Sequence, residues 1–272
     1  MVIFTNVNED NIAILLRKGY AMGTVKTQYE KFRLSKKGVI LIHYTSGKLL
    51  LQGKEDKVDY IADELKSLGI GKETRKTNFK KEIGLMVGSD EALKGDTFGG
   101  IVVASVQASG VDRQKLIDLG VADSKLLKDT EVISLAGKIK AMVTSKVIIL
   151  SPEEYNAKEG NVTKLLNDLH SQVVKGMKGK HVIDKYPGCI VGDIIETKAE
   201  SHYVEVAAAS ILARAAGLDQ LVGLSKKAGF DVPKGSTHVK GALELLKKKK
   251  LPFDKFVKLH FKNVEEFMSK EI

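Results

Sequence analysis

The 272-residue sequence predicts an α/β domain with a central, mostly buried sheet flanked by helices, preceded by a small α+β unit. Three observations predict it. From Ile83 onward, short apolar runs suited to buried strands alternate with longer helical stretches, the pattern of a layered α/β domain. Before Gly71 a helix, a hairpin and a second helix follow in succession. Between the two regions lies "GKETRKTNFKK", polar, basic and without apolar period.

In the first region, Ile12, Ile14, Leu15 and Leu16 share one face of a helix expected over Asn8 to Gly19, with Asp10 or Asn11 as its cap. Two apolar runs, Val39 to Tyr44 and Lys48 to Gln52, flank Thr45, Ser46 and Gly47 and predict a β-hairpin. "EDKVDYIADELKSLGIG" predicts a second amphipathic helix that stops near Gly69 or Gly71. The expected boundaries are a domain over 1–70, a basic linker over 71–82 and a larger domain over 83–272. In that domain "EIGLMVG", "GGIVVASVQA", "KVIILS", "KHVIDKY" and "CIVGDIIET" read as strands. "LLKDTEVISLAGKIKAMV", "NVTKLLNDLHSQVVKGM" and "HYVEVAAASILARAAGLDQLVGLSKKAG" read as helices, as do "HVKGALELLKKKK" and "DKFVKLHFKNVEEFM" on either side of Pro252. No repeat of solenoid period is present.

A content of 43% hydrophobic residues with only 4 Pro is that of a globular chain able to bury a core. Lys and Arg total 44 against 34 Asp and Glu, a net charge of +10 that attracts polyanions, so nucleic acid is the leading partner class. Solubility alone is the plainer reading of the same surplus. Cys189 has no companion for a disulfide or a zinc site, as a reducing cytoplasm would suit. The acidic start "MVIFTNVNED" and the lack of a run near the ~20 apolar residues of a bilayer span predict a soluble, unprocessed, cytoplasmic protein. Without a long heptad pattern, a monomer is expected.

Side chains at the end of a core strand project where loops open to solvent. "LMVGSDE" delivers Asp90 and Glu91 to such a rim, and "KHVIDKYPG" delivers Asp184 before a Pro187–Gly188 turn. If the two strands are neighbours, these carboxylates raise one another's pKa values, and a divalent cation held by hard oxygen ligands relieves them. A further acid, Glu200, stands at the start of an Ala-rich helix whose Ala207, Ala208, Ala209 and Ser210 permit close approach to the sheet. "TKAE", Thr197 to Glu200, also has capping-box spacing, so Glu200 either reaches the acids or bonds the backbone of its own helix start. Asp193 and Glu196 are nearby alternatives that spacing does not separate.

Together "GSDEALKGDTFGGIVVASV", "ADSKLL", "HVIDKY", "TKAESHYVEVAAASILAR" and "VPKGSTHVKGA" resemble, in order and spacing, the type 2 ribonucleases H from Gly88 to about Ala242. The Glu in "TKAES" is similar to the ribonuclease HIII branch rather than to ribonuclease HII. "YEKFRLSKKGVILIHYTSGKLLLQGK" likewise resembles the N-terminal domain of that branch, related to the repeat unit of TATA-box-binding protein. The resemblance implies a ribonuclease H fold with a mixed central sheet. It implies metal-binding carboxylates at Asp90, Glu91, Asp184 and Glu200, and two Mg²⁺ or Mn²⁺ ions about 3.5–4 Å apart on the scissile phosphate. The implied activity is hydrolysis of the RNA strand of RNA/DNA hybrids to 5′-phosphate and 3′-hydroxyl ends, with the hybrid as partner and no membrane. The family usually has glycine where this chain has Leu93 and proline where it has Gly100, leaving Lys94 and Gly95 to meet the ribose strand.

The resemblance also places Asp123, Ser124 and Lys125 beside the acids, with Lys125 on phosphate, although Asp123 equally suits a helix cap. Lys234 and Ser236, with the amides around Gly235, are candidate phosphate contacts or an ordinary helix-leading loop. In the N-terminal unit Tyr29, Lys31, Phe32 and Arg33 combine charge and aromatics as substrate surfaces do, while Phe32 equally suits the core. His181 and His202 fit no paired metal spacing, and Lys247 to Lys250 suits a solvated helix end. Two rivals are incision at single ribonucleotides in duplex DNA, as in ribonuclease HII, and non-catalytic nucleic-acid binding.

Overall fold

A computed structural model of the chain describes residues 2–75, 79–121, 124, 127–158 and 161–269. They form two units, Met1–Thr77 and Asn78–Ile272.

The first unit runs β1 (Val2–Thr5), α1 (Glu9–Arg17), β2 (Ala21–Gly23), β3 (Glu30–Lys36), β4 (Val39–Tyr44), β5 (Leu49–Gln52), α2 (Glu55–Ser67) and β6 (Lys72–Arg75). Its sheet has the order β2-β3-β4-β5-β1-β6, antiparallel throughout. Period-2 alternation turns Phe4, Leu34, Leu41 and Leu49 toward Ile12 and Leu15 of α1 and Ile61 and Leu65 of α2. Asn8, rather than Asp10 or Asn11, caps α1, in a reciprocal capping box with Asn11. The expected linker is in part structure: Lys72–Arg75 pairs with β1 as an edge strand. An edge strand needs one paired neighbour and tolerates charge on its free side, so its lack of apolar period does not prevent pairing.

The second unit runs β7 (Met86–Ala92), β8 (Ile101–Ala108), α3 (Gly110–Asp118), α4 (Asp129–Met142), β9 (Thr144–Leu150), α5 (Pro152–Asn156), α6 (Val162–Val173), β10 (Lys180–Asp184), β11 (Ile194–Glu196), α7 (Ala199–His202), α8 (Val204–Ala228), α9 (Lys240–Lys248) and α10 (Lys262–Ser269). The sheet order is β11-β10-β7-β8-β9. It is mixed: β10 runs parallel to β7 and β11, while β7, β8 and β9 are antiparallel.

Val102, Ala104 and Val106 face Ala208, Ala209 and Leu212 of α8 in one layer, and Ile101, Val103 and Ile183 face Leu166, Leu169 and Val173 of α6 in the other. The close crossing of α8 over β7 depends on Gly88, where an added Cβ would stand 2.3 Å from the backbone carbon of Glu205. By length and composition α8 is apolar enough to cross a membrane, contrary to the sequence expectation; burial of Val204–Ala213 between sheet and α4 accounts for that composition.

"DKFVKLHFKNVEEFM" is not one helix. A 3-10 turn at Phe253–Lys255 leads to an antiparallel bridge between Val257 and Phe98, and helix resumes only at Lys262. The backbone of this segment satisfies itself against the Thr97–Gly99 loop, which removes the need for helix.

Candidate active site

Successive residues of a strand point to opposite faces, and β7 uses this at its C-terminal end. Asp90 faces α8 and accepts a hydrogen bond from the Ser210 hydroxyl, while Glu91 faces α6, where His170 Nε2 lies 3.3 Å from Glu91 Oε2. The parallel register pairs Val182 with Gly88 and Ile183 with Ser89, so Asp184 follows alongside Asp90. Asp184 Oδ1 accepts from the Ala199 amide at 3.0 Å, which draws the start of α7, and Glu200 on it, to the same strand ends.

The expected capping box does not form. Lys198 is the helix N-cap, in the left-handed region at φ 59°, without a side-chain cap bond. Glu200 instead lines a cavity of about 440 Å³ together with Asp90, Glu91 and Asp184. Asp193 accepts from the His181 amide at 2.7 Å, and Glu196 pairs with Lys80 at 2.6 Å and with His202; neither lines that cavity.

Burial, then the charges of Glu91 and Glu200, raises the Asp90 carboxyl well above the usual range. Burial pushes Glu91 the same way, but hydrogen bonds and charge from His170 and Lys94 outweigh it and hold Glu91 low. These are hard oxygen donors with excess negative charge, the chemistry that fits a divalent cation. Among the described residues no group of at least three His, Cys, Asp or Glu side chains forms a ready cage for an ion; the acids converge on the cavity from separate elements.

Cationic groups complete the wall. Lys94 Nζ is 3.1 Å from Glu91 Oε1 and 4.9 Å from the Tyr186 ring centre. Asp129 is held low by the Lys234 hydrogen bond and then by Arg214, which lies 2.8 Å away. Lys94, Gly95, Ser124 and Lys234 all line the cavity. Ser236 does not; it is exposed, its carbonyl accepting from Asn263 at 3.0 Å. Asp123 and Lys125 lie outside the described residues.

Of the N-terminal candidates, Tyr29 is 64% exposed, Lys31 pairs with Glu9, and Arg33 forms two hydrogen bonds to Glu30 at 3.0 and 2.8 Å. Phe32 is on the helix-facing side, packed on the core and stacked on His43 at 5.8 Å, which is the core alternative and not an open contact surface.

Leu93 adopts φ 64°, a left-handed conformation costing a residue with a Cβ about 1–2 kcal/mol. Its side chain occupies the space that two glycines leave, since an added Cβ would come within 2.9 Å of Leu93 Cδ1 at Gly99 and 3.1 Å of Cγ at Gly217. At Gly100 an added Cβ would stand 2.1 Å from the Leu150 carbonyl, and its N–H donates to Gln220 Oε1 at 2.7 Å; proline satisfies neither condition.

Sequence reasoning missed Asp129, Arg214, His170 and Lys258. His170 stands on the apolar stripe of α6 with Leu166, Leu169 and Val173, which reads as core until Ser89 Oγ, 2.8 Å from its Nδ1, and Glu91 are seen. Ser89 Oγ also lies 2.7 Å from Nε2 of His181, whose pKa burial pushes down to about 4.

The ribonuclease HII family model matches residues 87–264. Ribonuclease HIII of Streptococcus pyogenes serotype M49 is 31% identical over 92% of this chain and 93% of its own length, and that of serotype M5 is the same. Among solved structures, Bst ribonuclease HIII in complex with Mn²⁺ aligns with TM-score 0.63 at 25% identity over 99% of both chains. Aquifex aeolicus ribonuclease H3 aligns with TM-score 0.57 at 29% identity, covering 94% of this chain and 98% of that one. A mixed sheet that brings acids from β7, β10 and α7 to one cavity, and relatives that match nearly end to end, agree on one conclusion: this chain belongs to the ribonuclease HIII family.

Proposed function

We propose that the chain is an endoribonuclease that hydrolyses the RNA strand of RNA/DNA hybrids, with Asp90, Glu91, Asp184 and Glu200 as metal ligands. The observation that carries it is the shared cavity of these carboxylates, walled by Lys94, Arg214 and Lys234. Held by these four carboxylates, two Mg²⁺ or Mn²⁺ ions would supply Lewis acidity toward water and toward the leaving 3′ oxygen, and the expected products are 5′-phosphate and 3′-hydroxyl ends.

The chain's own groups do the rest. Ser210 and the Glu91 amide, 2.8 Å from Asp90 Oδ1, orient Asp90. His170 and Lys94 keep Glu91 ionised, and Ala199 orients Asp184. Lys234 and Lys94 offer charge to the phosphates flanking the cut, and the open backbone at Gly95, where an added Cβ would meet nothing within 4 Å, allows close approach of the ribose strand. The N-terminal unit, with Tyr29, Lys31 and Arg33, is assigned to hybrid binding through backbone and shape.

Cleavage of a strand-labelled hybrid, with each metal and with chelator, tests the reading. Full activity of Asp184→Asn would refute it. The match to the ribonuclease HII family model favours one second reading, incision at a single ribonucleotide in duplex DNA. Robust nicking of such a duplex in preference to a hybrid would select it.

A further inference from the structure

Lys258 is the one lysine among the fully buried side chains of the described residues, 0% exposed. Its Nζ donates to the main-chain carbonyls of Leu93 at 2.7 Å and Asp96 at 2.5 Å, and its ammonium sits 5.1 and 5.5 Å from the ring centres of Phe261 and Tyr155. Burying an ammonium is costly unless its donors are satisfied, and both of these bonds go to the turn that follows the acid pair. Burial pushes its pKa down to about 7, in keeping with that cost.

The same segment grips the turn elsewhere. The Lys258 amide donates to the Thr97 carbonyl at 3.0 Å, and Asn263 Nδ2 donates to Thr97 Oγ1 at 2.7 Å and to the Ser236 carbonyl at 3.0 Å. Asp96 Oδ1 accepts from the Gly235 amide at 2.6 Å, and the Thr97 amide donates to the Gly235 carbonyl at 3.0 Å. Two loops that border the cavity are thereby tied to each other and to the chain beyond α9.

We propose that Lys258 is a positioning residue: it holds the Leu93–Asp96 turn with Leu93 in the left-handed region, and so sets where the ribose strand meets Lys94 and Gly95. The proposal rests on the hybrid-cleaving reading for what the turn touches, but not for the latch itself. A turn with an unfavourable φ at Leu93 persists only where its surroundings over-determine it, and Lys258 binds the carbonyl of that very residue. It touches neither acid pair nor substrate, so its effect falls on binding geometry rather than on the chemical step.

The test compares full-length wild type with Lys258→Met, which keeps chain length and aromatic packing but removes the donors, and Lys258→Gln, which keeps an amide donor. Hydrogen exchange should accelerate on the order of tenfold at the Asp96 and Thr97 amides in Lys258→Met, with β7 and β8 unchanged and Lys258→Gln intermediate. KM for a hybrid should rise on the order of tenfold while kcat falls less than about threefold. Unchanged exchange in the turn of Lys258→Met, or a loss in kcat at constant KM, would overturn the proposal. Failure of wild type to cleave hybrids would sink the functional reading alone, and the exchange data would still decide the latch.

Discussion

Asp184 Oδ1 accepts a hydrogen bond from the Ala199 amide at 3.0 Å, tying one proposed metal ligand to the residue that precedes another, Glu200. Asparagine keeps that acceptor. Asp184→Asn should therefore abolish cleavage while changing stability by less than about 1 kcal/mol, whereas Asp184→Ala should lose activity and also cost about 1–3 kcal/mol. Urea unfolding of both variants beside hybrid cleavage checks the contrast, which equal stabilities would contradict.

Leu93 reverses the ordinary order of core substitutions. Leu93→Gly loses side-chain packing but recovers about 1–2 kcal/mol of backbone strain, so its net cost should stay below about 1 kcal/mol. Leu93→Val, β-branched at φ 64°, should cost about 2 kcal/mol or more. Thermal melts rank the two, and a less stable glycine variant would show that packing outweighs strain.

His181 makes stability depend on acid. Its folded pKa of about 4 lies below the ordinary 6.5, so the folded state binds its proton less readily than the unfolded chain. Its contribution is fully present above about pH 6.5 and is lost as pH falls toward about 4, a total of about 3 kcal/mol. Urea midpoints from pH 7 to pH 4 should fall less steeply for His181→Asn than for wild type.

Arg113 and Glu205 form a buried ion pair in which Arg113 also donates to the carbonyls of Glu82 at 2.7 Å and Gly84 at 2.8 Å. Arg113→Met strands the Glu205 carboxyl, already raised by burial, and should cost about 3–5 kcal/mol. Adding Glu205→Gln should recover part of that loss in denaturant titrations.

Removing residues 1–77 should raise KM for a long hybrid more than it lowers kcat. The cut is set by structure: the Lys80 amide donates to the His202 carbonyl at 2.8 Å, so Lys80 belongs to the second unit. An unchanged KM would count against substrate binding by the first unit.

The catalytic-side fold was legible wherever apolar period and length agreed, as in β7, β8, α6 and α8. Asp90, Glu91 and Asp184 were legible because strand ends project into loops, and neighbouring strands then bring them together. The pairing of β1 with the edge strand β6 was not, because the two lie some seventy positions apart and no local period marks it. Lys258 and His170 were hidden for the opposite reason. Each looks locally ordinary, one a basic residue in a lysine-rich tail and the other an imidazole in an apolar stripe, and only distant contacts give it a role.

Because Asp90 and Glu91 look into different layers, their surroundings are separable despite a shared peptide bond. Substitutions along α6 retune Glu91 through His170, and substitutions along α8 retune Asp90 through Ser210. Evolution or an engineer thus has two dials on one pair of carboxylates, linked through the Glu91 charge that also raises Asp90.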